Sequence, residues 1–419
     1  MRLAVKIQST INLLDNFFES SAPFDIIMAK YFRSNKWIGS HERREIAEFC
    51  YSIFRKYETI NFLTSKITNN FGRFFVLTYL RKFELICDDE INTIFSGKKF
   101  EASKLTEFEW KFINSLESYT NLPRDISLNY PNWMELYFER AFPKNFKEEM
   151  LALNEKACVD LRVNTLKSSK DEVVSMFSDF SIEKGKLSEN CIRILNGRIG
   201  RNHLVIKNGF AEIQDEGSQL IAEICTVSSK DTIVDFCAGA GGKTLAIAAA
   251  MNNRGRIFAL DKYSERLENA KLRFRRAGVN NVMCQEINSK WLKRHKECAD
   301  IVLVDAPCSG TGTWRRNPDM RAKFQKKDLD ELIEVQAKIL ETASTLVKRN
   351  GRLIYSTCSV LLEENDDQIE CFLRKFRNFR KIRVTLPIKE NVTDGYYLRL
   401  SPFRNGTDGF FAACLERFE

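Results

Sequence analysis

The chain has 419 residues, which allows two or three domains with substantial cores. Because 44% of the residues are hydrophobic and no tract is rich in proline, glycine or serine, the composition excludes an intrinsically disordered protein. The formal net charge of +9 favours a polyanionic partner, although many proteins share such a balance.

Membrane and metal signals are weak in this sequence. It contains no apolar run of the roughly 20 residues needed to span a bilayer, and no signal-peptide core follows MRLAVKIQST. Its 12 cysteines include no C-x-x-C pair, and there are only three histidines. We therefore expect a cytoplasmic protein with reduced thiols, no membrane partner and no metal.

The first part of the chain is predicted to be helical to about residue 119. The segment from Arg44 to Leu63 carries apolar residues at i, i+3, i+4 and i+7 spacing, with lysines and arginines between them. Pro123, Pro131 and Pro143 then indicate a structured connector. We predict an all-helical domain with its linker over residues 1–140, and a basic helix alone does not assign it a role in binding RNA.

A small α+β platform is predicted over residues 141–210. It contains the strand-like LRVNTLK and is followed by QDEGSQL, whose Asp215 begins a predicted helix. Arg162 and Asn164 suit contacts to an RNA backbone and to base edges, but the pair could equally mark the end of a strand.

Strands and helices alternate over the last predicted domain, residues 211–419. Apolar runs such as TIVDFCA, RIFALD and ADIVLVDAP are separated by helical segments, a pattern typical of a parallel sheet with helices on both faces. The runs YYLRL and FFAACLERF lie close together and indicate an antiparallel finish. The predicted fold class is α/β.

A glycine turn in IVDFCAGAGGKT follows the first of these strands. A phosphate-binding P-loop would need glycine at Cys237, and a dinucleotide fingerprint would need glycine at Thr244, so neither motif fits. Asp261 ends the next strand, 22 residues after Gly239, where a carboxylate can bind ribose hydroxyls. The pattern indicates a ribose-bearing cofactor without an obligatory pyrophosphate, of which S-adenosylmethionine is the common one, or else an ordinary βαβ turn.

Two cysteines follow the ends of predicted strands. Cys308 comes after Asp305 in VDAPC, and Cys358 comes after Thr357 in YSTCS. Ligands of open α/β sheets bind outside the carboxyl ends of the strands, so both thiols are expected near the glycine turn. A thiolate suits addition to C6 of a pyrimidine, which makes C5 reactive, and the chemistry alone permits either cysteine to be the nucleophile.

Four stretches resemble, in order, the motifs of the RsmB/Nop/Sun RNA cytosine-5 methyltransferases: VDFCAGAGGKT, LVDAPCSGTGTWRRNPD, YSTCSVLLEEND and DGFFAACLER. SHERREIAEFCYSIFRK resembles a helix of NusB-like RNA-binding domains. With RVN and QDEGSQ, the resemblance covers nearly the whole chain and looks closest to the bacterial RsmB branch. It implies a class I, Rossmann-like methyltransferase sheet behind an all-α NusB-like domain, S-adenosylmethionine as cofactor, 16S rRNA as partner and a monomeric protein.

The resemblance also implies roles for individual residues. Cys358 is expected to be the nucleophile and Cys308 to assist release of the methylated base, while Asp305 hydrogen-bonds the cytosine beside Lys243. Arg315, Arg316 and Arg321 follow the Cys308 motif and are expected to meet RNA phosphates, as Arg162 and Asn164 are expected to contact RNA. The expected cofactor contacts are Cys237, Ala238, Gly239, Gly241, Gly242, Lys243, Asp261, Arg266, Asn288 and Asp305.

Two positions depart from the family pattern. Ala240 stands where proline usually precedes the paired glycines, and Asn288 stands where an aspartate usually contacts adenine. An amide oxygen can still accept from an exocyclic amine. Two alternatives stay open: the same chemistry on tRNA or large-subunit RNA, and a non-catalytic RNA-binding assembly factor.

Overall fold

The computed structural model of the protein describes residues 2–196, 199–200, 202–386 and 392–419. The chain divides into two compact units. The first, called here the helical unit, consists of Met1–Glu155 and an inserted segment, Trp314–Phe324. The second, the sheet unit, consists of Lys156–Thr313 and Gln325–Glu419. The predicted division into three domains stays a prediction.

The helical unit confirms the helical pattern of the first part of the chain. Its core includes Leu13, Phe17, Phe54 and Phe75, all almost fully buried. The helices are α1 (Leu3–Glu19), α2 (Phe24–Ser34), α3 (Ser40–Phe54), α4 (Tyr57–Leu63), α5 (Phe71–Lys82), α6 (Asp88–Ile94), α7 (Glu107–Ser115), α8 (Arg124–Leu128), α9 (Glu135–Ala141) and α10 (Phe146–Leu153). The predicted continuous pattern from Arg44 to Leu63 is split between α3 and α4.

The inserted segment completes the core of the helical unit. Trp314 is 1% exposed, and its ring meets the Phe138 ring edge-on at 5.5 Å between centroids. The Arg321 guanidinium lies over the Trp314 ring and donates to the Asn129 carbonyl at 2.6 Å and to the Asn154 side-chain oxygen. Both hydrogen bonds come from Nη1, while Nε and Nη2 are buried without a hydrogen-bond partner among the described residues, so these acceptors and the aromatic face replace only part of the lost water.

Arg321→Ala should lower the free energy of unfolding of the protein by about 2–4 kcal/mol, because it leaves a cavity and an unpaired buried acceptor. Denaturant unfolding followed by circular dichroism measures the change. Arg33→Ala is the matched control, since Arg33 is exposed on α2. Equal losses for the two variants would contradict a structural role for Arg321.

A small antiparallel sheet begins the sheet unit. Its strands are β1 (Val159–Val163), β2 (Ile182–Lys184), β3 (Cys191–Ile194) and β4 (Ala211–Ile213), in the order β2-β3-β1-β4, with helices α11 (Lys170–Ser175) and α12 (Leu204–Lys207). Buried side chains including Leu161, Val173, Ile192 and Val205 form its core. This sheet with its two helices confirms the predicted α+β character of the region.

A larger sheet follows in the order β10-β12-β9-β8-β5-β6-β7, with β11 paired to β12. Its strands are β5 (Thr232–Asp235), β6 (Arg256–Asp261), β7 (Val282–Glu286), β8 (Ala299–Asp305), β9 (Val347–Thr357), β10 (Phe379–Ile382), β11 (Tyr397–Leu400) and β12 (Phe410–Arg417). Its helices are α13 (Glu216–Glu223), α14 (Gly242–Ala250), α15 (Ser264–Ala277), α16 (Ser289–Arg294), α17 (Lys326–Ser344), α18 (Asp366–Lys375) and α19 (Pro402–Asn405).

The direction of the strands confirms the predicted α/β class. The five strands from β9 to β7 are parallel. The strands β11 and β12 form the predicted antiparallel finish, and β10, which the sequence analysis did not predict, pairs antiparallel with β12. After β5 the chain adds β6 and β7 on one side and returns to add β8 on the other. Such a reversal opens a crevice at the carboxyl ends of the strands, so the candidate site is expected beside β5 and β8. In the part of the chain that the structure describes, no helix combines the length and the apolar character needed to cross a bilayer.

Candidate active site

The glycine turn after β5 has the backbone that its sequence predicts. Gly239 and Gly241 have φ values of +54° and +78°, in the left-handed region that favours glycine. A Cβ on Gly241 would lie 2.5 Å from the Phe274 ring, whereas nothing lies within 4 Å of one on Gly239. Gly241 therefore packs against α15, and Gly239 faces open space at the N-terminus of α14. Ala240, which replaces the usual proline, is exposed and leaves the turn intact.

Asp261 holds this turn from the end of β6. One carboxylate oxygen accepts the Gly239 N–H at 2.9 Å, and the other accepts the Tyr263 N–H at 2.9 Å. The Arg266 guanidinium is 3.9 Å from the first oxygen. Asp261 is 4% exposed, and a carboxylate can accept about four hydrogen bonds, so it has capacity left for ligand hydroxyls.

A cavity of about 290 Å³ lies beside the turn. Asp235 contributes an oxygen, Oδ1, that is buried and has no hydrogen-bond partner among the described residues, while its Oδ2 accepts from the Thr244 hydroxyl at 2.6 Å. A buried unpaired oxygen at a cavity wall indicates that a ligand or water donates there. The lining residues are Ile213, Gln214, Ser218, Asp235, Cys237, Ala238, Gly239, Ala240, Gly242, Lys243, Arg273 and Asp305.

Asp235→Asn should remove the contribution that Asp235 makes to the pH dependence of the free energy of unfolding. Burial raises the pKa of Asp235 to about 7 from an ordinary value of 3.8. Between these values the unfolded state loses a proton that the folded state retains, so the free energy of unfolding falls as pH rises, by at most about 4 kcal/mol. Urea unfolding should show the variant more stable than the wild type at pH 8 and equally stable near pH 4. Exposed Glu331→Gln serves as the control, and equal stability of Asp235→Asn and the wild type at both pH values would contradict the prediction.

Lys243 and Asp305 form an ion pair at the same edge of the sheet. The Lys243 Nζ is 2.6 Å from the Asp305 Oδ2, and the Ser356 hydroxyl donates to the Asp305 Oδ1 at 3.2 Å. Burial by itself would lower the pKa of Lys243, but the charge and hydrogen bond of Asp305 outweigh burial and raise it. Lys243 is therefore a cation at neutral pH, held beside a carboxylate that is one third exposed.

The two predicted thiols are neighbours. The Cys308 and Cys358 sulfur atoms are 3.4 Å apart, because β8 and β9 are adjacent parallel strands. Both cysteines are free thiols. The hydrogen bond with Cys358, followed by burial, raises the pKa of Cys308 well above its ordinary value. The Cys358 sulfur is also among the groups that raise the pKa of Lys243. Either sulfur can be the donor in the hydrogen bond between the two thiols.

A buried polar network, which the sequence analysis did not identify, supports the two cysteine loops. Glu364 is fully buried, and its carboxylate accepts the Ser309 N–H at 2.8 Å, the Ser309 hydroxyl and the Gln336 amide at 2.9 Å. The Ser309 hydroxyl is 3.2 Å from that of Ser359. One residue after each cysteine is therefore fixed to the other loop. The only signal for Glu364 in the sequence was its place near the end of the stretch YSTCSVLLEEND, because EEND by itself looks like an exposed helix start.

Arg162 and Asn164 do not have the exposed positions that RNA contacts need, and this prediction is corrected. Arg162 is 6% exposed and donates to the Gly242 carbonyl at 2.7 Å, while Asn164 is 4% exposed and donates to the Gly209 and Ala277 carbonyls at 2.8 Å. Both residues join distant segments of the sheet unit, and we do not propose them as RNA contacts.

The inserted segment requires a second correction. Arg315 is 7% exposed and Arg321 is 2% exposed within the helical unit, so their side chains do not face solvent phosphates. Arg316 is half-buried.

Asn288 is exposed, but it caps α16 because its side-chain oxygen accepts the Trp291 N–H at 2.9 Å. The side-chain oxygen of Asn288 therefore already accepts one hydrogen bond, which leaves it less free to accept from the amine of an adenine.

One cluster with metal-ligand chemistry exists among the described residues. Asp160, Cys191 and Glu216 are all buried, and their ligand atoms lie within 4.8 Å of one another. Arg193 donates to the Asp160 carboxylate at 2.7 Å and to the Glu216 carboxylate at 3.1 Å. Its guanidinium already provides the positive charge that these carboxylates need, so the cluster is a buried ion-pair network.

Two family models match the chain. The model of 16S rRNA methyltransferase RsmB/F matches residues 222–416, and that of the ferredoxin-like domain of RsmF/B-like methyltransferases matches residues 130–198. The first match contains both cysteines, the glycine turn and Asp305.

Similar proteins from two bacteria are both named as probable ribosomal RNA small subunit methyltransferase B. The probable ribosomal RNA small subunit methyltransferase B of Bacillus subtilis (strain 168) is 35% identical over 61% of this chain and 59% of its own length. The probable enzyme of the same name from Synechocystis sp. (strain ATCC 27184 / PCC 6803 / Kazusa) is 33% identical over 69% of this chain and 67% of its own length. The matched region thus spans three fifths to two thirds of these relatives.

Solved structures share the fold. The crystal structure of PH0851 has a TM-score of 0.81 at 23% identity and covers 99% of this chain and 98% of its own. The structure of NSun6 from Pyrococcus horikoshii with SFG has a TM-score of 0.62 at 20% identity, covering 69% of this chain and 98% of its own. At these identities the likeness concerns the fold alone.

Proposed function

Since the chain belongs to the 16S rRNA methyltransferase RsmB/F family, we propose that it transfers a methyl group from S-adenosylmethionine to C5 of a cytosine in 16S rRNA. The observation that carries this proposal is the pair of sulfur atoms 3.4 Å apart at the carboxyl ends of β8 and β9, beside the Lys243–Asp305 ion pair. Addition to C6 needs a nucleophile and the later elimination needs a base for the C5 proton, and the two sulfur atoms lie close enough together to take these two roles.

The residues around the glycine turn fit S-adenosylmethionine. The open space at Gly239 admits a ligand to the backbone, and the N-terminus of α14 favours its carboxylate. Asp261 has acceptor capacity for ribose hydroxyls, and the unpaired Oδ1 of Asp235 can accept from an ammonium group. When bound, this cofactor supplies an electrophilic methyl group.

The protein's own residues would carry out the remaining chemistry. The Cys358 thiolate forms a bond to C6, which places negative charge on the ring and makes C5 nucleophilic. Asp305 accepts a hydrogen bond from the cytosine, and Lys243 stabilises negative charge beside it. After methylation, the ionised Cys308 thiolate takes the C5 proton and becomes a thiol, the electrons of the C5–H bond reform the C5–C6 double bond, the C6–sulfur bond breaks, and Cys358 leaves as a thiolate. Because this requires reduced thiols, we propose the cytoplasm as its compartment.

The proposal is tested with purified protein, labelled S-adenosylmethionine and four RNA pools from cells lacking the modification: naked 16S rRNA, assembled small subunits, large-subunit rRNA and tRNA. We expect label only in 16S rRNA or in small subunits, and recovery of that label as 5-methylcytidine after nuclease digestion. Label in tRNA or large-subunit rRNA would show that the substrate is not 16S rRNA. No transfer to any pool would favour a non-catalytic RNA-binding protein.

Asp261→Ala should weaken S-adenosylmethionine binding by about 10- to 150-fold, the equivalent of losing hydrogen bonds to a charged group. The variant also releases the Gly239 and Tyr263 N–H groups, so Asp261→Asn, which keeps one acceptor oxygen, should have an intermediate affinity. Calorimetry measures all three proteins. Unchanged affinity in Asp261→Ala would assign the ribose contact to another residue.

A further inference from the structure

Two large aromatic rings are exposed next to each other on the helical unit. Trp37 is 59% exposed and Phe100 is 68% exposed, and their ring centroids are 6.4 Å apart with 35° between the planes. Trp37 lies between α2 and α3, and Phe100 lies in the turn after α6. Single exposed apolar residues are ordinary, but two touching rings, called here the aromatic pair, form a continuous π surface in water.

The backbone at Phe100 is strained. Its φ is +70°, a conformation that costs a bulky L-residue on the order of 1–3 kcal/mol. The turn is held by hydrogen bonds from the Gly97 N–H to the Ala102 carbonyl and from the Glu101 N–H to the Lys98 carbonyl, both 2.9 Å. The ring is not buried in return. The strain therefore holds an aromatic side chain outward, where it meets the Trp37 ring and the Lys99 ammonium but remains mostly exposed.

Exposed cations flank both rings. Lys36 precedes Trp37, and Lys98 and Lys99 precede Phe100; all three are exposed. The Lys99 ammonium lies 5.2 Å from the centre of the Phe100 ring. The acid that follows the ring, Glu101, is within 3.7 Å of the Arg2 guanidinium. The aromatic pair is thus set in a positively charged surface.

We propose that the aromatic pair stacks with unpaired bases of an RNA strand, while Lys36, Lys98 and Lys99 neutralise its phosphates. Stacking on exposed aromatic side chains combined with a cationic border is how proteins hold single-stranded nucleic acid without reading its sequence. The inference rests on the proposed function, since that function supplies RNA as the partner.

The test measures binding of the full-length protein to a labelled, unstructured RNA of about 12 nucleotides by fluorescence anisotropy. Trp37→Ala/Phe100→Ala should weaken binding by about 5- to 150-fold, the range expected for lost base stacking. Trp37→Phe/Phe100→Tyr, which keeps both rings, should retain most of the affinity. Phe108→Ala is the matched control, because Phe108 is 62% exposed on α7 of the same unit, and it should bind like the wild type.

The phosphate contacts are tested separately by salt dependence. Lys36→Gln/Lys98→Gln/Lys99→Gln should reduce the slope of log affinity against log salt by about two units, since each phosphate contact to a single strand contributes about 0.7. The aromatic variants should leave that slope unchanged, because stacking releases no counterions. An unchanged slope in the lysine variant would overturn the assigned phosphate contacts.

Three results would overturn base stacking: wild-type affinity in Trp37→Ala/Phe100→Ala, an equal loss in Phe108→Ala, or an equal loss for a duplex of the same sequence. Wild-type RNA affinity together with loss of a concentration-dependent dimer would assign the aromatic pair to self-association instead. The methyl-transfer assay is independent of these measurements. A wild-type protein that binds RNA through the aromatic pair but transfers no methyl group would overturn the proposed function and leave this inference standing.

Discussion

Cys358→Ala should abolish methyl transfer, with a rate loss of more than about 10⁴-fold, because in the proposed mechanism the bond from the Cys358 sulfur to C6 activates C5. Cys308 is only 3.4 Å away, but burial keeps its pKa raised even when the hydrogen bond to Cys358 is lost, so we do not expect it to replace Cys358. Transfer of labelled methyl groups to rRNA measures the loss.

The control for this variant is Cys284→Ala, because Cys284 lies on β7 and is only partly exposed. It should keep wild-type activity. Calorimetry should show that Cys358→Ala still binds S-adenosylmethionine, so that the loss is one of chemistry. Residual activity within tenfold of the wild type would remove Cys358 from the nucleophile role.

Cys308→Ala should leave the protein covalently attached to its methylated RNA. The main cause of the raised pKa of Cys308 is its hydrogen bond to Cys358, and the charge of that sulfur adds to it. Both causes disappear once Cys358 is bonded to C6. Cys308 then ionises more easily, at the stage where a base must take the C5 proton, and without it the adduct should persist.

Denaturing gel electrophoresis would detect this adduct as a slow protein–RNA band. The band should require S-adenosylmethionine, and it should be absent from Cys308→Ala/Cys358→Ala, which isolates the bond to Cys358. A stable band from Cys358→Ala and none from Cys308→Ala would exchange the two roles and leave the methyltransferase proposal intact.

The sequence was a good guide to the ends of the strands. Apolar β-branched runs closed by an acid or by small residues correctly predicted that Asp235, Asp261 and Asp305 end parallel strands. The expectation that Cys308 and Cys358 lie near each other came from the rule that ligands bind outside the carboxyl ends of parallel strands, and the 3.4 Å separation of their sulfur atoms agrees with it. The resemblance to a family supplied only their separate roles.

The errors concern buried polar residues. Arg315, Arg316 and Arg321 were assigned to RNA because they follow the Cys308 motif in the sequence. Arg321 is buried because its partners, Asn129 and Asn154, lie 192 and 167 residues away in the sequence. Arg162 likewise donates to Gly242, 80 residues away. No local pattern predicts such pairs, since the acceptors are backbone carbonyls and amides that every sequence contains.

The inserted segment also imposes a time order on synthesis. The helical unit lacks Trp314 and Arg321 until residue 324 has been added, 169 residues after Glu155. At about 5–20 residues per second, that interval is roughly 8–34 s. During it the Phe138 ring has its Tyr130 contact but lacks its Trp314 contact, which leaves apolar surface of the nascent helices exposed. The first unit to be translated therefore completes its folding only when more than three quarters of the chain has left the ribosome.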